Sequence, residues 1–291
     1  MSLNVYHLEV FYHVARNRSV TLAANALRRE QPTVSAIIAD LEKSLGAARL
    51  FHRRPFQLTA LGRELYESIT PFFSNLPRVE EKVRGGCAIR IGASPIILKD
   101  HVPAIERRVR RQFPKLRLFL REAGGPQLLR DVDRDELDLA ITLLPEQTPP
   151  KVHVEPLGLT LPLVLLAPRR HAARSAEALL AHHEKHPLIA LPPEELVMQR
   201  FQAGLLARGI FWRSSIEVTS LELVQHFVLK GYGVGVSVAR PDIREPHGLR
   251  ALRLLDFPPV ELALIYRDRG RDPLFDAFVA ATKERVHGLT R

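Results

Sequence analysis

Few sets of residues in this sequence have the types and spacing that catalysis, metal binding or nucleotide binding requires. His182, His183 and His186 have the spacing of a metal-binding pair on a helix, but the adjacent segment supplies no further ligand, which favours a solvated helix. The glycine-rich segment 231–235 follows a predicted helix rather than a strand, which favours a turn into a buried strand over a dinucleotide loop. The sequence has no nucleophile elbow. We therefore expect a protein that is not an enzyme and that holds no metal or cofactor.

The charge and the single cysteine limit the class of protein. A formal net charge of +10 favours an acidic partner, either nucleic acid or an anionic membrane surface. Cys87 is the one cysteine, so an intrachain disulfide and a thiolate metal cluster are excluded, and a reducing compartment fits. The longest apolar stretch, 157–168, is interrupted by Gly, Thr and Pro. We expect a cytoplasmic protein with no signal peptide, membrane span or membrane partner.

Residues 1–60 have the pattern of short helices with tight connections. An apolar stripe with helical spacing predicts a first helix that ends at Asn17–Arg18. Its members are Leu8, Phe11, Tyr12 and Ala15. Ser19 or Thr21 is placed to cap a second helix over 22–27, and Pro32 suits the first turn of a third helix that begins near Gln31.

The third predicted helix has an outer face suited to DNA. Its apolar stripe consists of Val34, Ile37, Ile38 and Leu41, so the opposite face is small and polar. Such a face fits the ~12 Å major groove, where side chains of the first turn reach base edges and free amides meet a phosphate. The candidate DNA-binding residues of the helices are Thr21, Gln31, Pro32, Thr33 and Ser35.

A basic turn between two short apolar runs, over 50–58, has the pattern of a small β-wing. Arg53 and Arg54 lie at its tip, where guanidinium groups can bind phosphates or enter the minor groove. The alternative is a solvated loop that is basic without a role in binding. Helices followed directly by a basic wing favour DNA binding.

The next segment has the spacing of a coiled-coil seam. Apolar positions recur at alternating intervals of four and three at Leu58, Gly62, Leu65, Ile69, Phe72, Leu76, Val79 and Val83. The pattern predicts a helix that pairs with a second copy of the chain. The alternative is an amphipathic helix that packs on its own domain. Pro71 and Pro77 interrupt the stretch, so we expect a kinked linker or two shorter helices.

From Ala88 onward, strand-like runs alternate with amphipathic helices, the pattern of a mostly parallel sheet. Ligands of such sheets gather at the carboxyl ends of strands, where helix N-termini favour anionic groups. The candidate effector-binding residues at these places are Ser94, Pro95, Ile96, Gly125, Gln127, Thr142, Thr219 and Ser220. Each of them has the alternative role of a helix cap or turn residue. Lys99 is expected to be exposed.

The stretch SVTLAANALRREQPTVSAIIADLEKSLGAARLF, followed by LTALG, resembles the helix-turn-helix, wing and linker of the LysR family. The shared features recur in order at family spacing: the QP dipeptide, Ser35, Leu41–Glu42, Leu45–Gly46, Leu50–Phe51 and Leu58–Thr59. The resemblance continues through Ile89–Ser94, Glu136–Thr142 and Val218–Ser237. It therefore covers nearly the whole chain.

Several positions depart from the family pattern. Arg29 stands where the family usually has a buried aliphatic residue, Glu30 where a capping serine is common, and Ala36 where a basic residue is frequent. Glu30 suits the helix dipole but repels phosphate. Ile96 and Ile97 follow the serine where the family usually has a more polar residue, which indicates a less polar or smaller effector.

The resemblance implies an α/β fold class with three parts. These are an N-terminal winged helix-turn-helix at 1–59, a linker and dimerisation helix at 60–87, and a two-subdomain, periplasmic-binding-protein-like effector domain at 88–291. Subdomain I is expected at about 88–163 and 266–291 and subdomain II at about 164–265. The crossing strands are expected near Leu161–Pro168 and Pro259–Tyr266.

The function that the resemblance implies is transcription regulation. A small-molecule effector in the C-terminal cleft, expected to be an organic anion, would modulate binding to a double-stranded DNA operator. The assembly would be a homodimer or homotetramer. The alternative is a small-molecule-binding α/β protein or enzyme that does not bind DNA.

Overall fold

The computed structural model describes residues 3–46, 48–83, 87–242, 247–268 and 272–289. The chain divides near residue 84 into two compact units. The first is mainly helical, and the second is built around two five-stranded sheets. Within the described ranges, no helix has the length and apolar character needed to cross a membrane.

The first unit has the predicted order of helices and wing. Its elements are α1 (Val5–Asn17), α2 (Val20–Ala26), α3 (Gln31–Ser44), β1 (Phe51–Arg53), β2 (Phe56–Leu58) and α4 (Ala60–Val83). Phe11, Val34 and Leu41 are fully buried in the core that the helices share. Ser19 is the cap of α2, because its Oγ accepts a hydrogen bond from the Leu22 amide at 3.3 Å, whereas Thr21 lies inside that helix.

The wing is fixed to the helices by side-chain hydrogen bonds to its backbone. Glu42 Oε1 on α3 accepts a hydrogen bond from the Leu50 amide at 2.8 Å. Thr59 Oγ1 donates to the Arg49 carbonyl at 2.8 Å and accepts from the Gly62 amide at 3.0 Å. Both ends of the β1–β2 hairpin are therefore anchored, which holds its turn in a defined place beside α3.

The linker is one helix, so the expectation of two shorter helices separated at Pro71 and Pro77 is wrong. Proline removes a backbone N–H and is costly inside a helix. Packing beside Pro71 offsets this cost: Ile69 and Phe73 are buried in the core of the first unit, and the Phe73 ring stacks on Tyr12 with 5.5 Å between centroids. Tertiary burial of one face thus overrides local propensity.

The first half of the predicted coiled-coil seam packs on its own domain. A Cβ added to Gly62 would lie 1.9 Å from the Leu50 carbonyl oxygen, so this position is closed by the wing. Ile69 is buried, and Leu65 packs against the same core. Phe72 differs, with 56% of its side chain exposed. These positions agree with the alternative of an amphipathic helix on its own domain, and Phe72 stays open to a partner.

The first sheet of the second unit contains β3 (Cys87–Ala93), β4 (Leu116–Glu122), β5 (Leu139–Leu143), β6 (Val152–Leu161) and β12 (Val260–Arg267), in the spatial order β4-β3-β5-β12-β6. β3 is parallel to β4 and β5, while β12 is antiparallel to β5 and β6. The associated helices are α5 (Pro95–Asp100), α6 (Val102–Gln112), α7 (Gly125–Asp133) and α11 (Pro273–His287).

The second sheet contains β7 (Leu163–Pro168), β8 (Leu188–Ala190), β9 (Ser214–Glu217), β10 (Val234–Val238) and β11 (Leu249–Arg253), in the order β11-β7-β10-β8-β9. Its helices are α8 (Ala176–Ala181), α9 (Leu196–Ala207) and α10 (Leu221–Leu229). β10 is parallel to β8 and antiparallel to β7.

The chain passes between the two sheets twice. The first passage is at Pro162, between β6 and β7, within the predicted range Leu161–Pro168. The second lies at 254–259, so the expectation of a crossing strand at Pro259–Tyr266, and of a second subdomain that extends to 265, is wrong. The reason is pairing: β12 forms ladders with both β5 and β6 and is an interior strand of the first sheet.

The glycine-rich segment is the predicted turn into a buried strand. It joins the end of α10 at Leu229 to the start of β10 at Val234. Gly233 has a φ of 153°, and a Cβ there would lie 2.1 Å from the Pro187 carbonyl oxygen. Glycine is therefore required by backbone conformation and close approach, and the segment is accounted for without a nucleotide.

Candidate nucleic-acid interface and ligand cleft

Two side-chain hydrogen bonds bring the predicted DNA-binding residues onto one surface of the first unit. Thr21 Oγ1 on α2 donates to Gln31 Oε1 at the start of α3, at 3.2 Å. Arg53 Nη2 at the end of β1 donates to Ser35 Oγ on α3, at 3.3 Å. The first turns of α3 are thus linked to both the preceding helix and the wing.

The start of α3 is open to solvent. Gln31, Pro32 and Thr33 are exposed, and Ser35 is half-buried one turn further on. Glu30 precedes the helix but makes no capping hydrogen bond with its side chain, so the orphan amides of the first turn are available to a ligand. Backbone amides at a helix N-terminus favour phosphate. This is the geometry that a groove-reading helix needs.

The wing and the turn before α3 add positive charge to this unit. Arg54 is exposed in the hairpin turn, directly after Arg53. Arg28, which has a φ of 53°, and Arg29 are exposed between α2 and α3. Arg29 therefore does not enter the core, although family relatives usually bury an aliphatic residue there. Arg28 and Arg49 are two further exposed basic residues of this unit that pattern reasoning did not select.

The second unit contains a cleft of about 560 Å³ whose walls come from both sheets. Most of its lining is apolar, with Ile96, Ile141 and Leu196 as examples. Polar groups enter at the ends of strands β3 and β5 and at the starts of α5, α7 and α10. A mainly apolar cavity of this size with a few polar groups is typical of a small-molecule site.

Seven of the eight predicted effector-binding residues line this cleft: Ser94, Pro95, Ile96, Gly125, Thr142, Thr219 and Ser220. Ser94 precedes α5, and its hydroxyl makes no capping bond, which leaves it to a ligand. Ser220, in contrast, caps α10 by accepting from the Leu223 amide at 3.3 Å. The structure brings these residues together because the carboxyl ends of β3 and β5 meet at one edge of the sheet.

Gln127 is the predicted residue that the structure keeps away from the cleft. It lies in the first turn of α7 with its side chain exposed. Its amide nitrogen donates to Asp131, and its carbonyl oxygen accepts from Arg130 Nη2 at 2.7 Å. The helical spacing from Gly125 places its side chain on the opposite side of the helix start, so Gln127 stabilises α7 instead of lining the cavity.

Two carboxylates in the cleft lining escaped sequence reasoning. Glu195 Oε2, before α9, accepts a hydrogen bond from the Gly125 amide at the start of α7, at 3.3 Å. Burial raises the pKa of Glu195, and the bond from Gly125 partly opposes that rise. Glu222, in the first turn of α10, has both carboxylate oxygens buried without a well-formed hydrogen bond. Burial raises its pKa, and its own amide, the Ser220 hydroxyl and Lys99 partly oppose that rise.

Ion pairs join the two walls of the cleft. Arg240, after β10, pairs with Asp100 at the end of α5 at 3.2 Å and with Asp242 at 3.3 Å. Arg200 on α9 pairs with Glu146, after β5, at 2.9 Å. The Arg240–Asp100 and Arg200–Glu146 pairs bridge elements of the first and second sheets, so they favour the closed arrangement of the cleft. Lys99 is 75% exposed, as expected.

Both parts of the chain match models of known domain families. Residues 5–63 match the bacterial regulatory helix-turn-helix protein model of the lysR family, and residues 86–287 match the LysR substrate binding domain model. The chain is 27% identical over 278 residues to the transcriptional regulator CatR of Pseudomonas putida, covering 92% of this chain and 94% of the relative. It is 28% identical over 304 residues to the RuBisCO operon transcriptional regulator of Allochromatium vinosum, covering 99% of each.

The fold is shared with a solved member of the family. The structure of CbnR, a LysR family transcriptional regulator, superposes with a TM-score of 0.67 at 17% identity and covers 97% of this chain and 99% of that chain. CbnR in complex with its target DNA superposes with a TM-score of 0.66 at 18% identity. The chain belongs to the LysR family: it is a transcription regulator, not an enzyme, with a helix-turn-helix DNA-binding domain followed by an effector-binding domain.

Proposed function

We propose that this regulator reads its operator with the first turn of α3 and holds the DNA backbone with its wing. Gln31 and Thr33 contact base edges in the major groove, with Pro32 at the helix start. Thr21 and Ser35 support them, and Arg53 and Arg54 bind phosphate. The observation that carries this proposal is the pair of bonds from Thr21 to Gln31 and from Arg53 to Ser35, which links all three elements on one exposed surface.

The effector site is the cleft between the two sheets of the second unit. The effector contacts Ser94, Pro95, Ile96, Gly125, Thr142, Thr219 and Ser220, which line one cavity. Its binding shifts operator affinity by favouring one arrangement of the assembled regulator, which requires different affinities for the two arrangements. The protein works in the cytoplasm, where its operator lies.

We take the DNA-binding domain as 1–59 and the linker as 60–87, of which α4 occupies Ala60–Val83 and Cys87 already begins strand β3. The effector domain comprises 88–291, and its second subdomain ends before Val260, where β12 returns to the first sheet. The assembly is a homodimer, or a homotetramer formed from two dimers. Support for self-association comes from exposed apolar side chains on neighbouring helices of the first unit, namely Val5 and Tyr6 on α1 and Phe72 on α4.

The experiment that tests DNA reading is a titration of the full chain against DNA from upstream of its own gene at increasing salt. The logarithm of affinity should fall linearly with the logarithm of salt concentration, by about 0.9 for each phosphate contacted. The double variant Gln31→Ala/Thr33→Ala should bind random DNA as the wild type does and lose at least about tenfold affinity for the operator, because base contacts carry specificity.

The matched control is Lys115→Ala, which removes an exposed residue of the effector domain. It should bind operator and random DNA like the wild type. Equal loss on both DNAs in the Gln31/Thr33 variant would refute base reading by these residues. Failure of the wild type to bind any upstream fragment would refute the proposed operator.

A further inference from the structure

Glu222 is a carboxylate whose donors in the folded chain are poorly placed: its own amide, the Ser220 hydroxyl and Lys99 only partly oppose the rise in pKa that burial causes. Both of its oxygens are buried in the cleft lining, and neither has a well-formed hydrogen bond. A buried polar group without a partner costs about 1–3 kcal/mol, and more when it is charged. A residue with this cost and no well-formed bond in the fold is typical of a group that is kept for a ligand.

The start of α7, where an anionic effector was expected, already holds an anion of the chain itself. Glu195 Oε2 accepts the Gly125 amide at 3.3 Å. A Cβ added to the neighbouring Gly124 would lie 1.9 Å from Glu195 Oε1, so the carboxylate rests directly on this glycine pair. A second carboxylate from a ligand would have to displace Glu195 or face it at short range, where like charges repel.

The cations of the cleft are mostly committed to other groups. Arg240 pairs with Asp100 and Asp242. Arg200 lies outside the lining and pairs with Glu146 of the lining. Burial lowers the pKa of His101, which favours its neutral form. Arg285 on α11 lines the cleft with its Nε buried and without an acceptor. A hydrogen-bond acceptor on the effector can therefore bind Arg285, but it cannot bind the start of α7, which Glu195 occupies.

From these contacts we infer that the effector of this regulator carries an amino or amidino cation, which the cleft binds on the carboxylate of Glu222. This inference rests on the proposed role of the cleft as the effector site, and it replaces the organic anion expected from helix N-termini. The group on the effector supplies the well-placed donors that Glu222 lacks, and charge-assisted bonds of this kind are the strong ones. The apolar walls receive the rest of the molecule.

The test is a thermal-shift titration of the full chain with amines and carboxylates of matched skeleton. The probes are benzylamine with benzoate, tyramine with 4-hydroxyphenylacetate, and putrescine with adipate, each at millimolar concentration. At least one amine should raise the Tm by about 2 °C or more, since a ligand that binds the native state stabilises it by mass action. Its matched carboxylate should give a smaller shift.

The variant Glu222→Gln separates ligand binding from folding. It should lose the shift given by the amine, or weaken its binding at least about tenfold, while its own Tm without ligand stays equal to that of the wild type or rises. Glu217→Gln, which removes an exposed carboxylate outside the cleft lining, is the matched control and should keep the amine response.

Three results would overturn the inference: a larger shift with a carboxylate than with its amine, an amine shift that survives in Glu222→Gln, or no shift with any amine. Operator binding is measured on the same samples. A chain that binds its operator but responds to no amine refutes the cationic effector and leaves DNA reading intact. A chain that responds to an amine but binds no operator refutes the DNA-reading proposal alone.

Discussion

Arg53 Nη2, at the end of wing strand β1, donates a hydrogen bond to Ser35 Oγ on helix α3 at 3.3 Å. The wing and the recognition helix are therefore held together by a side chain that is itself proposed to bind phosphate. Because the bond fixes the guanidinium before DNA arrives, Arg53 pays less conformational entropy on binding than a free surface arginine would.

Replacing Arg53 tests this arrangement. Arg53→Ala should weaken binding to operator and random DNA alike and reduce the salt slope by about one, because one phosphate contact is lost. Arg53→Lys should recover part of the affinity, since it keeps the charge but loses the planar fork. Fluorescence anisotropy at several salt concentrations measures both quantities. An unchanged salt slope in Arg53→Ala would show that this residue does not contact the backbone.

Gly62 is required by the approach of the linker to the wing. A Cβ at this position would lie 1.9 Å from the Leu50 carbonyl oxygen, which is backbone and cannot rotate away. Gly62→Ala should destabilise the DNA-binding domain by about 1–3 kcal/mol or more, as overpacking does, and should weaken DNA binding through partial unfolding. Chemical denaturation followed by circular dichroism gives the free energy of unfolding.

The control for Gly62 is Gly288→Ala, where the added Cβ would meet no atom closer than 3.4 Å. Its stability should equal that of the wild type within about 0.5 kcal/mol. Wild-type stability in Gly62→Ala would mean that the wing and the linker separate easily in solution.

Among the heptad positions whose side chains the structure describes, Phe72 is the exposed one, with 56% of its side chain exposed. If α4 forms the dimer contact, Phe72→Ser should raise the dimer dissociation constant at least about tenfold, because removal of a buried aromatic anchor costs 2 kcal/mol or more. Analytical ultracentrifugation across a concentration series measures this constant. Leu206→Ser, which replaces an 81% exposed side chain of the effector domain, is the control for loss of exposed apolar surface. An unchanged dissociation constant in Phe72→Ser would place the interface elsewhere.

The sequence predicted what depends on local pattern. Ser19 as a cap, Pro32 in the first turn of α3 and the strand-end position of Ser94 follow from rules that act within a few residues. The continuity of α4 through Pro71 does not follow from such rules, because it depends on the burial of Phe73 against α1. Local propensity and tertiary packing disagree at that site.

The polar contacts of the cleft could not be predicted from rules that act within a few residues either. Glu195 precedes α9 and Gly125 begins α7, 70 residues earlier in the chain, and only the folded cleft brings the two together. Glu222 lies two positions after Ser220, one of the predicted residues, yet nothing in the neighbouring sequence indicates that both of its oxygens are buried. A search for acidic residues in the first turn of each helix would have selected Glu222, but the poor placement of its donors is a three-dimensional fact.

Glu195 should make the stability of the effector domain depend on pH. Burial raises the pKa of Glu195 in the folded state above its value in the unfolded chain, so the folded state binds the proton more tightly. This contribution to stability is fully present below the unfolded pKa of about 4.3 and is lost as the pH rises through the folded pKa. Glu195→Gln, which stays neutral and keeps an oxygen to accept the Gly125 amide, should remove this loss.

The measurement is the Tm of Glu195→Gln minus that of the wild type, across a pH series that starts below 4.3, the approximate pKa of an unfolded glutamate. The difference should be smallest at the acid end, where both side chains are neutral, and should become more positive as the wild-type carboxyl ionises. Glu217→Gln, which replaces an exposed carboxylate outside the cleft lining, should show a flat difference. A difference for Glu195→Gln that is flat or becomes more negative with rising pH would mean that the ionised carboxylate stabilises the cleft, and that its bond to Gly125 outweighs its burial.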